Sequence, residues 1–470
     1  MNITLNRITY LYAVISGIVP VLLFSIFGSK IVILFGGFAA LGFYIYSFQN
    51  EKNWFLLLPI IIGMYSGGVA NFSDNTSIPI TLFQLALITG ILVFVLSRLN
   101  TKDFTFNSSG YTKVFFLFLS FISFSLIYSV DKSNALLNFF RIIVLFGFVF
   151  FINNVVNSKE QITRILITVS AMAVIISIFS IVEYIKNPDL AIQNYLSAGT
   201  KLSRTNALGA FSDPNRFAAA LILPSAFLFS VFSTAKNSKE IGLAFVGFLI
   251  LLGGVATTFS RSGFVSIALV IGVIIFKTNK LKPFLSLAIV GTLIVMVVPN
   301  LRLIAFSYLG RILDLIQGNI DTSGSIRIML ALAAIGMFVD TYMLGVGFDS
   351  FDVKFREFFT TFETLGVEES HNMFLTILSE LGLIGMILLL FIIFNIFQDA
   401  SGLVRNSKSI TDKRISITIY SSLIGFLLFY QFYDGALIDN ILMLVIGLLF
   451  CSVRFNADVQ SLNKKSILAE

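Results

Sequence analysis

Uncharged apolar runs long enough to cross a bilayer recur along almost the whole chain. A helix needs roughly 17–25 apolar residues to cross the hydrocarbon core. Because backbone polar groups inside that core must bond to one another, repeated runs of this length predict membrane-spanning helices. Hydrophobic residues make up 57% of the chain and charged residues 12%, a balance that excludes an ordinary soluble domain. The sequence therefore predicts an all-α polytopic membrane protein.

The apolar runs divide into about fourteen predicted transmembrane helices. An even number places both chain ends on the same side of the membrane. No cleavage site of small residues follows the first run, so we expect the first helix to be retained. The predicted spans lie at about 9–27, 31–48, 54–70, 78–96, 114–130, 135–152, 165–182, 217–233, 241–258, 263–276, 283–299, 373–397, 415–432 and 437–453.

The distribution of basic residues predicts which side of the membrane is cytoplasmic. Lys159, Lys239 and Arg414 are typical of the basic residues in the short loops, and these loops fall on the side of the two termini. Lys and Arg are enriched in cytoplasmic loops. We therefore expect both termini in the cytoplasm and the two long loops, 183–216 and 300–371, on the outer face.

The predicted spans and loops divide the chain into five segments. Two apolar stretches of the second long loop, 301–317 and 327–344, are interpreted as helices at the outer interface. A pair of crossings at both places preserves the topology, and this alternative stays open. The segments are N-terminal transmembrane helices over 1–182, a first long outer loop over 183–216, central transmembrane helices over 217–299, a large outer loop over 300–371, and C-terminal transmembrane helices with a cytoplasmic tail over 372–470.

Several arginines in or beside the outer loops depart from the charge rule. Arg216 and Arg327 lie in the long loops, where an ordinary solvated charge is an alternative because long loops are translocated largely regardless of charge. Arg261 lies at the outer end of a span, where a guanidinium is costly unless it meets an anion or reaches the headgroups. Its planar donor group suits a diphosphate. A phosphate ligand and a lipid headgroup are the two candidates.

The only histidine of the chain, His371, stands where the second long loop meets an apolar helix. Ser370 or Asn372 is a suitable N-cap there, and the N–H groups of a helix N-terminus favour an anion nearby. A neutral imidazole in this place can take a proton from a sugar hydroxyl. Capping the helix or contacting headgroups explains the position of His371 equally well.

Acidic residues near His371 are candidates for a supporting role. Glu380 lies inside the same predicted span, and a structural role, such as pairing with a buried partner like Arg141, is the better interpretation of it. Asp434 and Asp439 lie in the short outer stretch YDGALIDN. Either carboxylate is a candidate for orienting His371 or an acceptor.

The composition argues against metal and redox chemistry. Cys451 is the only cysteine, so no internal disulfide and no thiolate cluster can form. The outer loops also lack an Asp-x-Asp pair. We expect no metal site and no cofactor.

Four motifs stand in order over roughly residues 207–390. They are GAFSDPNRFAAAL, TTFSRSGFVSIAL, SIRIMLALAAIGMFVDTYMLGVGFDSF and ESHNMFLTILSELGLIG. The fourth has a His-Asn pair that opens a helix with spaced Leu, Glu and Gly. Together the motifs resemble the O-antigen ligase and O-antigen polymerase superfamily. Many relatives carry a Trp shortly after the arginine of the third motif, where this chain has Ile328, Met329 and Leu330.

This resemblance implies inverting, metal-independent glycosyl transfer from a polyprenyl-diphosphate-linked glycan on the periplasmic face of a bacterial inner membrane. By the family pattern, His371 assists deprotonation of the acceptor hydroxyl, with Asn372 beside it. Arg261 and Arg327 bind the leaving diphosphate, and Arg216 holds the donor or the growing glycan. The implied partners are the lipid-linked donor, a glycan or lipid A-core acceptor, the bilayer and a chain-length regulator, with no nucleic acid.

Three functions share these features. We favour a polymerase, which joins lipid-linked repeat units, because about fourteen spans and two large outer loops look more like that branch. A ligase, which transfers the glycan from undecaprenyl diphosphate to lipid A-core or to a protein, has the same motifs. A lipid-linked oligosaccharide flippase is less consistent with the chain, because no internal repeat is visible and the informative charges collect at the outer surface.

Overall fold

The computed structural model describes residues 53–65, 81–102, 105–107, 112–186, 211, 213–282, 322–358 and 370–467, with a few positions between 285 and 296. Within these ranges the chain is helical, and no strand is present. The predicted all-α class is therefore confirmed for the described part of the chain. The predicted spans at 9–27 and 31–48 lie outside the described residues, as does most of the span at 283–299.

Most of the helices follow the apolar runs, and several of them begin at polar capping residues. A 3-10 turn over Asn53–Leu56 leads into the first helix. The helices are α1 (Leu57–Tyr65), α2 (Leu82–Thr101), α3 (Thr112–Ser125), α4 (Lys132–Val155), α5 (Lys159–Lys186), α6 (Pro214–Ala220), α7 (Ile222–Thr234), α8 (Ser238–Thr258), α9 (Arg261–Thr278), α10 (Thr322–Asp340), α11 (Phe351–Phe358), α12 (Met373–Arg405), α13 (Ile410–Phe429) and α14 (Asn440–Ile467).

Eight helical segments of the described residues are long and apolar enough to cross a membrane. They are α2, α4, α5, α6 continued by α7, α8, α9, α12 and the first part of α14. Helix α13 is also 20 residues long, but its first turn carries Asp412, Lys413 and Arg414. Helices α1 and α3 are shorter apolar helices. The count of about fourteen spans is not confirmed by these eight and stays a prediction.

The described helices pack as a bundle with α13 near its centre. Helix α13 packs against α7, α9, α12 and α14, while α8 packs against α5 and α7, and α4 packs against α14. Tyr430, Phe426 and Phe429 at the end of α13 are almost completely buried. This interior positions the C-terminal end of α13 beside the N-terminal ends of α6, α9 and α12.

The segment predicted as a large outer loop is helical where it is described. Helix α10 packs along α12 and buries Leu330, Ala333, Ala334 and Met337 in a small cluster with residues of α11. Residues 300–321 and 359–369 lie outside the described part of the chain. Helix α10 is not one of the eight candidate spans. Its position at the membrane interface stays a prediction, as do the five segments defined from the sequence.

Candidate functional site

The first two motifs meet at the N-terminal ends of α6 and α9. Asp213 caps α6 by accepting hydrogen bonds from the backbone N–H groups of Asn215 (2.6 Å) and Arg216 (3.0 Å). Ser260 caps α9 by accepting from Gly263 N–H (3.2 Å), and its hydroxyl also donates to Asn215 Oδ1 (2.9 Å). The cap of α9 is thus joined directly to the first turn of α6.

Gly263 makes this close approach of the two helices possible. A Cβ atom at Gly263 would lie 2.6 Å from the Cβ of Ala218, closer than two carbons can approach. Arg216 and Arg261 lie in the first turns of the two joined helices, and both side chains are exposed. The structure therefore brings the helix ends that carry these two predicted arginines together.

His371 lies at the start of α12 with its backbone in the left-handed region (φ +55°). This conformation is uncommon for residues other than glycine, although histidine is one of those enriched in it. Asn372 is the N-cap, and its Oδ1 accepts from the N–H groups of Phe374 (2.9 Å) and Leu375 (3.1 Å). The predicted cap at this helix is confirmed, and it is Asn372.

Asp434 is bonded to the first turn of the same helix. Its Oδ2 accepts a hydrogen bond from the hydroxyl of Thr376 and a longer one from Ser370 (3.5 Å), while its Oδ1 accepts from Gly435 N–H (2.7 Å). The Ser370 hydroxyl also donates to the backbone carbonyl of Asn372 (2.9 Å). Asp434 therefore braces the residues that flank His371.

The turn over Gln431, Phe432, Tyr433 and Asp434, here called the 431–434 turn, reaches two of the predicted arginines. Arg216 donates through Nε to the Tyr433 hydroxyl (3.2 Å). The guanidinium carbon of Arg327, an exposed residue of α10, lies 5.8 Å from the centre of the Phe432 ring. These contacts link Arg216 and Arg327 to one short turn.

Asp439 contacts the end of α13 and the first turn of α14. Its Oδ2 accepts from the Tyr430 hydroxyl (2.6 Å), and its Oδ1 accepts from Leu442 N–H (2.7 Å) in the first turn of α14. Burial raises the pKa of the Asp439 carboxyl above its ordinary value, and the Tyr430 hydrogen bond opposes that rise. The contacts of Asp439 are those of a residue that fixes α13 to α14.

Glu380 caps a different piece of backbone from inside α12. Its Oε1 accepts from the N–H groups of Ser350 and Phe351 (3.0 Å each), and its Oε2 accepts from Asp349 N–H (2.9 Å). The carboxylate is 5% exposed. It therefore holds the backbone that leads into α11, which agrees with a structural role. These contacts do not include the suggested partner Arg141, whose Nη1 donates to Asn138.

Helix α12 is interrupted beside Glu380, at Gly382 (φ +65°, ψ −160°). The break frees the carbonyl groups of Ser379 and Glu380, which accept from Val346 N–H (2.8 Å) and Gly347 N–H (3.0 Å). Leu383 N–H donates to the carbonyl of Met343 (2.9 Å). A Cβ atom at Gly382 would lie 2.2 Å from that carbonyl oxygen. Backbone hydrogen bonds therefore join residues 343–347 of the third motif to residues 379–383 of the fourth.

The comparison with protein families matches the part of the chain that carries most of these features. Residues 246–390 match the O-antigen ligase family. The match confirms the superfamily that the four motifs predicted, and it includes Arg261, Arg327 and His371. Arg216 and the 431–434 turn lie outside the matched residues. A search of curated proteins gave no match to the chain.

Sequence reasoning missed Phe432 and Tyr433. Both lie in LFYQFYDG, where aromatic residues are so frequent that nothing distinguishes these two. Their neighbour Asp434 was singled out for its charge. The described residues contain no group of three or more His, Cys, Asp and Glu side chains that could hold a metal ion.

Proposed function

We propose that this protein is a surface-polysaccharide polymerase, which joins polyprenyl-diphosphate-linked repeat units on the periplasmic face of a bacterial inner membrane. The family match at residues 246–390 supports an enzyme of the O-antigen ligase and polymerase type that acts on lipid-linked glycans. The eight apolar helices support a multi-pass membrane protein. The acceptor, the mechanism and the side of the membrane are our proposal.

One observation carries the proposal: residues from all four motifs gather at one end of the bundle. Arg216 and Arg261 lie in the first turns of two helices that are joined by the hydrogen bond from Ser260 to Asn215. Arg327 and Arg216 contact adjacent residues of the 431–434 turn, and Asn372, next to His371, donates to the carbonyl of Gln431 (3.1 Å). Such a group of arginines beside a histidine suits a diphosphate leaving group and a hydroxyl nucleophile.

The proposed reaction is a single displacement at the anomeric carbon of the donor. The acceptor hydroxyl attacks that carbon while His371 takes its proton, and the bond from the carbon to the diphosphate oxygen breaks. Arg261 and Arg327 then stabilise the negative charge that develops on the diphosphate, with Arg216 holding donor or growing glycan. One displacement inverts the anomeric configuration. We expect the transfer to continue in the presence of EDTA, because the arginines supply the positive charge that a metal ion would otherwise provide.

The proposed side of the membrane is supported by the basic residues at the other end of the bundle. Lys159, Arg414 and Asp412 lie together at the N-terminal ends of α5 and α13, remote from Arg216 and His371. The basic loops on that side support a cytoplasmic assignment by the positive-inside rule. The end with His371 would then face the periplasm, where a lipid-linked donor presents its glycan.

A ligase is the second candidate, because the matching family is described as O-antigen ligase. In that case the acceptor would be lipid A-core or a protein in place of another lipid-linked repeat unit. The proposed roles of His371, Arg261 and Arg327 are the same for both enzymes, so the two candidates differ in the acceptor alone.

Glycan profiles of a strain that lacks the gene test the proposal. The strain is complemented with the wild type, with His371→Ala, with Arg261→Ala or with the control Arg414→Ala at matched expression. A polymerase predicts core carrying a single repeat unit in the null strain, and a ladder restored by the wild type and the control but not by the two site variants. Bare core with accumulated lipid-linked polymer would identify a ligase. An unchanged ladder in the null strain would refute both.

A further inference from the structure

Four consecutive residues of the 431–434 turn each contact a different part of the candidate site. The Gln431 carbonyl accepts from the Asn372 side chain, and the Phe432 ring lies against Arg327. The Tyr433 hydroxyl accepts from Arg216 Nε, and Asp434 accepts from Thr376 in the first turn of α12. One turn therefore reaches α6, α10 and α12, which are distant from it and from one another in the sequence.

The buried Tyr433 side chain holds Arg216 in a fixed direction. The tyrosine side chain is 7% exposed, and its ring packs against those of Phe429 and Tyr430. Its hydroxyl is therefore fixed, and it engages Arg216 through Nε (3.2 Å). A guanidinium has five N–H donors in a rigid plane, so a bond at Nε orients the two terminal nitrogens.

Phe432 holds Arg327 by a different interaction. Its ring is 39% exposed, and the Arg327 guanidinium carbon lies 5.8 Å from the ring centre. A guanidinium over an aromatic face is attracted by the ring quadrupole, and the contact is weaker where it is exposed. Neither the ring nor a tyrosine hydroxyl carries a negative charge. Both partners are uncharged groups that fix the direction of a guanidinium.

We propose that Tyr433 and Phe432 are positioning residues, which set the directions of Arg216 and Arg327 towards the diphosphate of the lipid-linked donor. Of the two roles given to Arg216, this inference takes the one in which Arg216 holds the donor, and it holds the donor by the diphosphate. The inference rests on the proposed function, because it takes the arginines as the binding groups. It adds a part of the chain that lies outside the family match at 246–390. Preorganised arginines lose less conformational entropy when they bind the ligand.

A double-mutant cycle of binding tests this inference. The probe is undecaprenyl diphosphate in detergent micelles, and its affinity is measured for the purified full chain. Tyr433→Phe keeps the ring and removes the hydroxyl, so we expect affinity to fall about threefold to tenfold. Phe432→Leu is expected to weaken binding about twofold to fivefold, since the cation–π contact is exposed. Tyr420→Phe is the matched control, because Tyr420 contacts Lys277 at the opposite end of the bundle.

Coupling between the variants distinguishes positioning from direct binding. If Tyr433 acts through Arg216, then Tyr433→Phe has no further effect in an Arg216→Ala background, where the other arginines keep binding measurable. The same is expected of Phe432→Leu in an Arg327→Ala background. Effects that add fully in both cycles would overturn the inference.

The outcomes also separate this inference from the proposed function. If Arg216→Ala and Arg261→Ala bind the probe as tightly as the wild type, the proposed diphosphate site itself is wrong. If these variants bind weakly while Tyr433→Phe and Phe432→Leu bind normally, the site stands and the positioning role is refuted. All variants must elute from size-exclusion chromatography as the wild type does, which checks that they are folded.

Discussion

The two ends of the helical bundle hold their basic residues in different ways. At one end the partners carry negative charge or are backbone carbonyls. Lys159 lies 2.8 Å from Asp412, and Arg414 lies 3.1 Å from Glu240. Arg454 donates to two carbonyl groups at the end of α4. These contacts satisfy the charges where they lie and fasten the helices to one another.

At the other end two arginines contact uncharged aromatic side chains. Arg216 bonds to a tyrosine hydroxyl, and Arg327 lies against a phenylalanine ring. Helix α13 separates the two ends by 20 residues, which is about 30 Å of helix. Basic residues at the first end therefore fasten helices to one another, and we propose that those at the second end bind an anionic ligand.

The largest predicted effect concerns His371. His371→Asn is the preferred variant, because asparagine tolerates the left-handed backbone of this position. Loss of a general base lowers the rate by roughly 10²–10⁴-fold. We expect glycosyl transfer by His371→Asn to fall at least about 100-fold, with undecaprenyl diphosphate binding little changed. A variant with both normal transfer and normal binding would show that His371 takes no part in the reaction.

The next effect concerns stability at Glu380. Glu380→Ala leaves the buried N–H groups of Asp349, Ser350 and Phe351 without their acceptor, and we expect a loss of about 3 kcal/mol or more. Glu380→Gln can keep the oxygen shared by Ser350 and Phe351, so its loss should be about 1–2 kcal/mol. Thermal unfolding in detergent measures both. Equal stability of the two variants would contradict the assigned contacts.

A smaller effect is expected at the joint between α6 and α9. Ser260→Ala removes the cap of α9 and the hydrogen bond to Asn215, which should cost about 1 kcal/mol. Because the helix ends that carry Arg216 and Arg261 are joined here, we also expect weaker binding of undecaprenyl diphosphate. Ser407→Ala is the control, since its hydroxyl bonds only locally to Val404 at the opposite end. A normal affinity in Ser260→Ala would show that the hydrogen bond between Ser260 and Asn215 is not needed to position the binding residues.

The smallest effect is expected among the ion pairs of the first end. The pair of Arg414 and Glu240 is partly exposed, so Glu240→Gln should change stability by less than about 1 kcal/mol and should leave transfer unchanged. The stability difference should shrink further at high salt because exposed pairs are screened. A large loss of transfer in Glu240→Gln would remove the functional distinction between the two ends.

Much of the fold and part of the site could be predicted from the sequence. Apolar runs predict most of the described helices, although not the polar helix α11. The four motifs predict the family that residues 246–390 match. The break at Gly382 could not be predicted, because Glu-Leu-Gly-Leu-Ile continues a helical apolar pattern and only the backbone of Met343 reveals the need for it. The partners of Glu380 were also hidden, because they are backbone groups of a distant segment.

The contacts of the 431–434 turn could not be predicted from the sequence either. Hydrophobic and aromatic patterns predict that Tyr433 lies near a helix end, but they do not predict that its hydroxyl meets Arg216, which is 217 positions away in the chain. Such contacts depend on how α6, α10, α12 and α13 pack together. Charge and rarity single out Arg261, Arg327 and His371 as candidates in the sequence, whereas the contacts of Arg216 and Arg327 with this turn are visible only in the packed structure.

Glycosyl transfer by the purified protein in liposomes tests the central claim most directly. A lipid-linked glycan serves as donor and acceptor, and product length and released polyprenyl diphosphate are measured together for the wild type, His371→Asn and Glu240→Gln. The account predicts longer glycan with matching diphosphate release for the wild type and for Glu240→Gln, and at least about 100-fold slower release for His371→Asn. Equal release by all three, or none by the wild type, would contradict it.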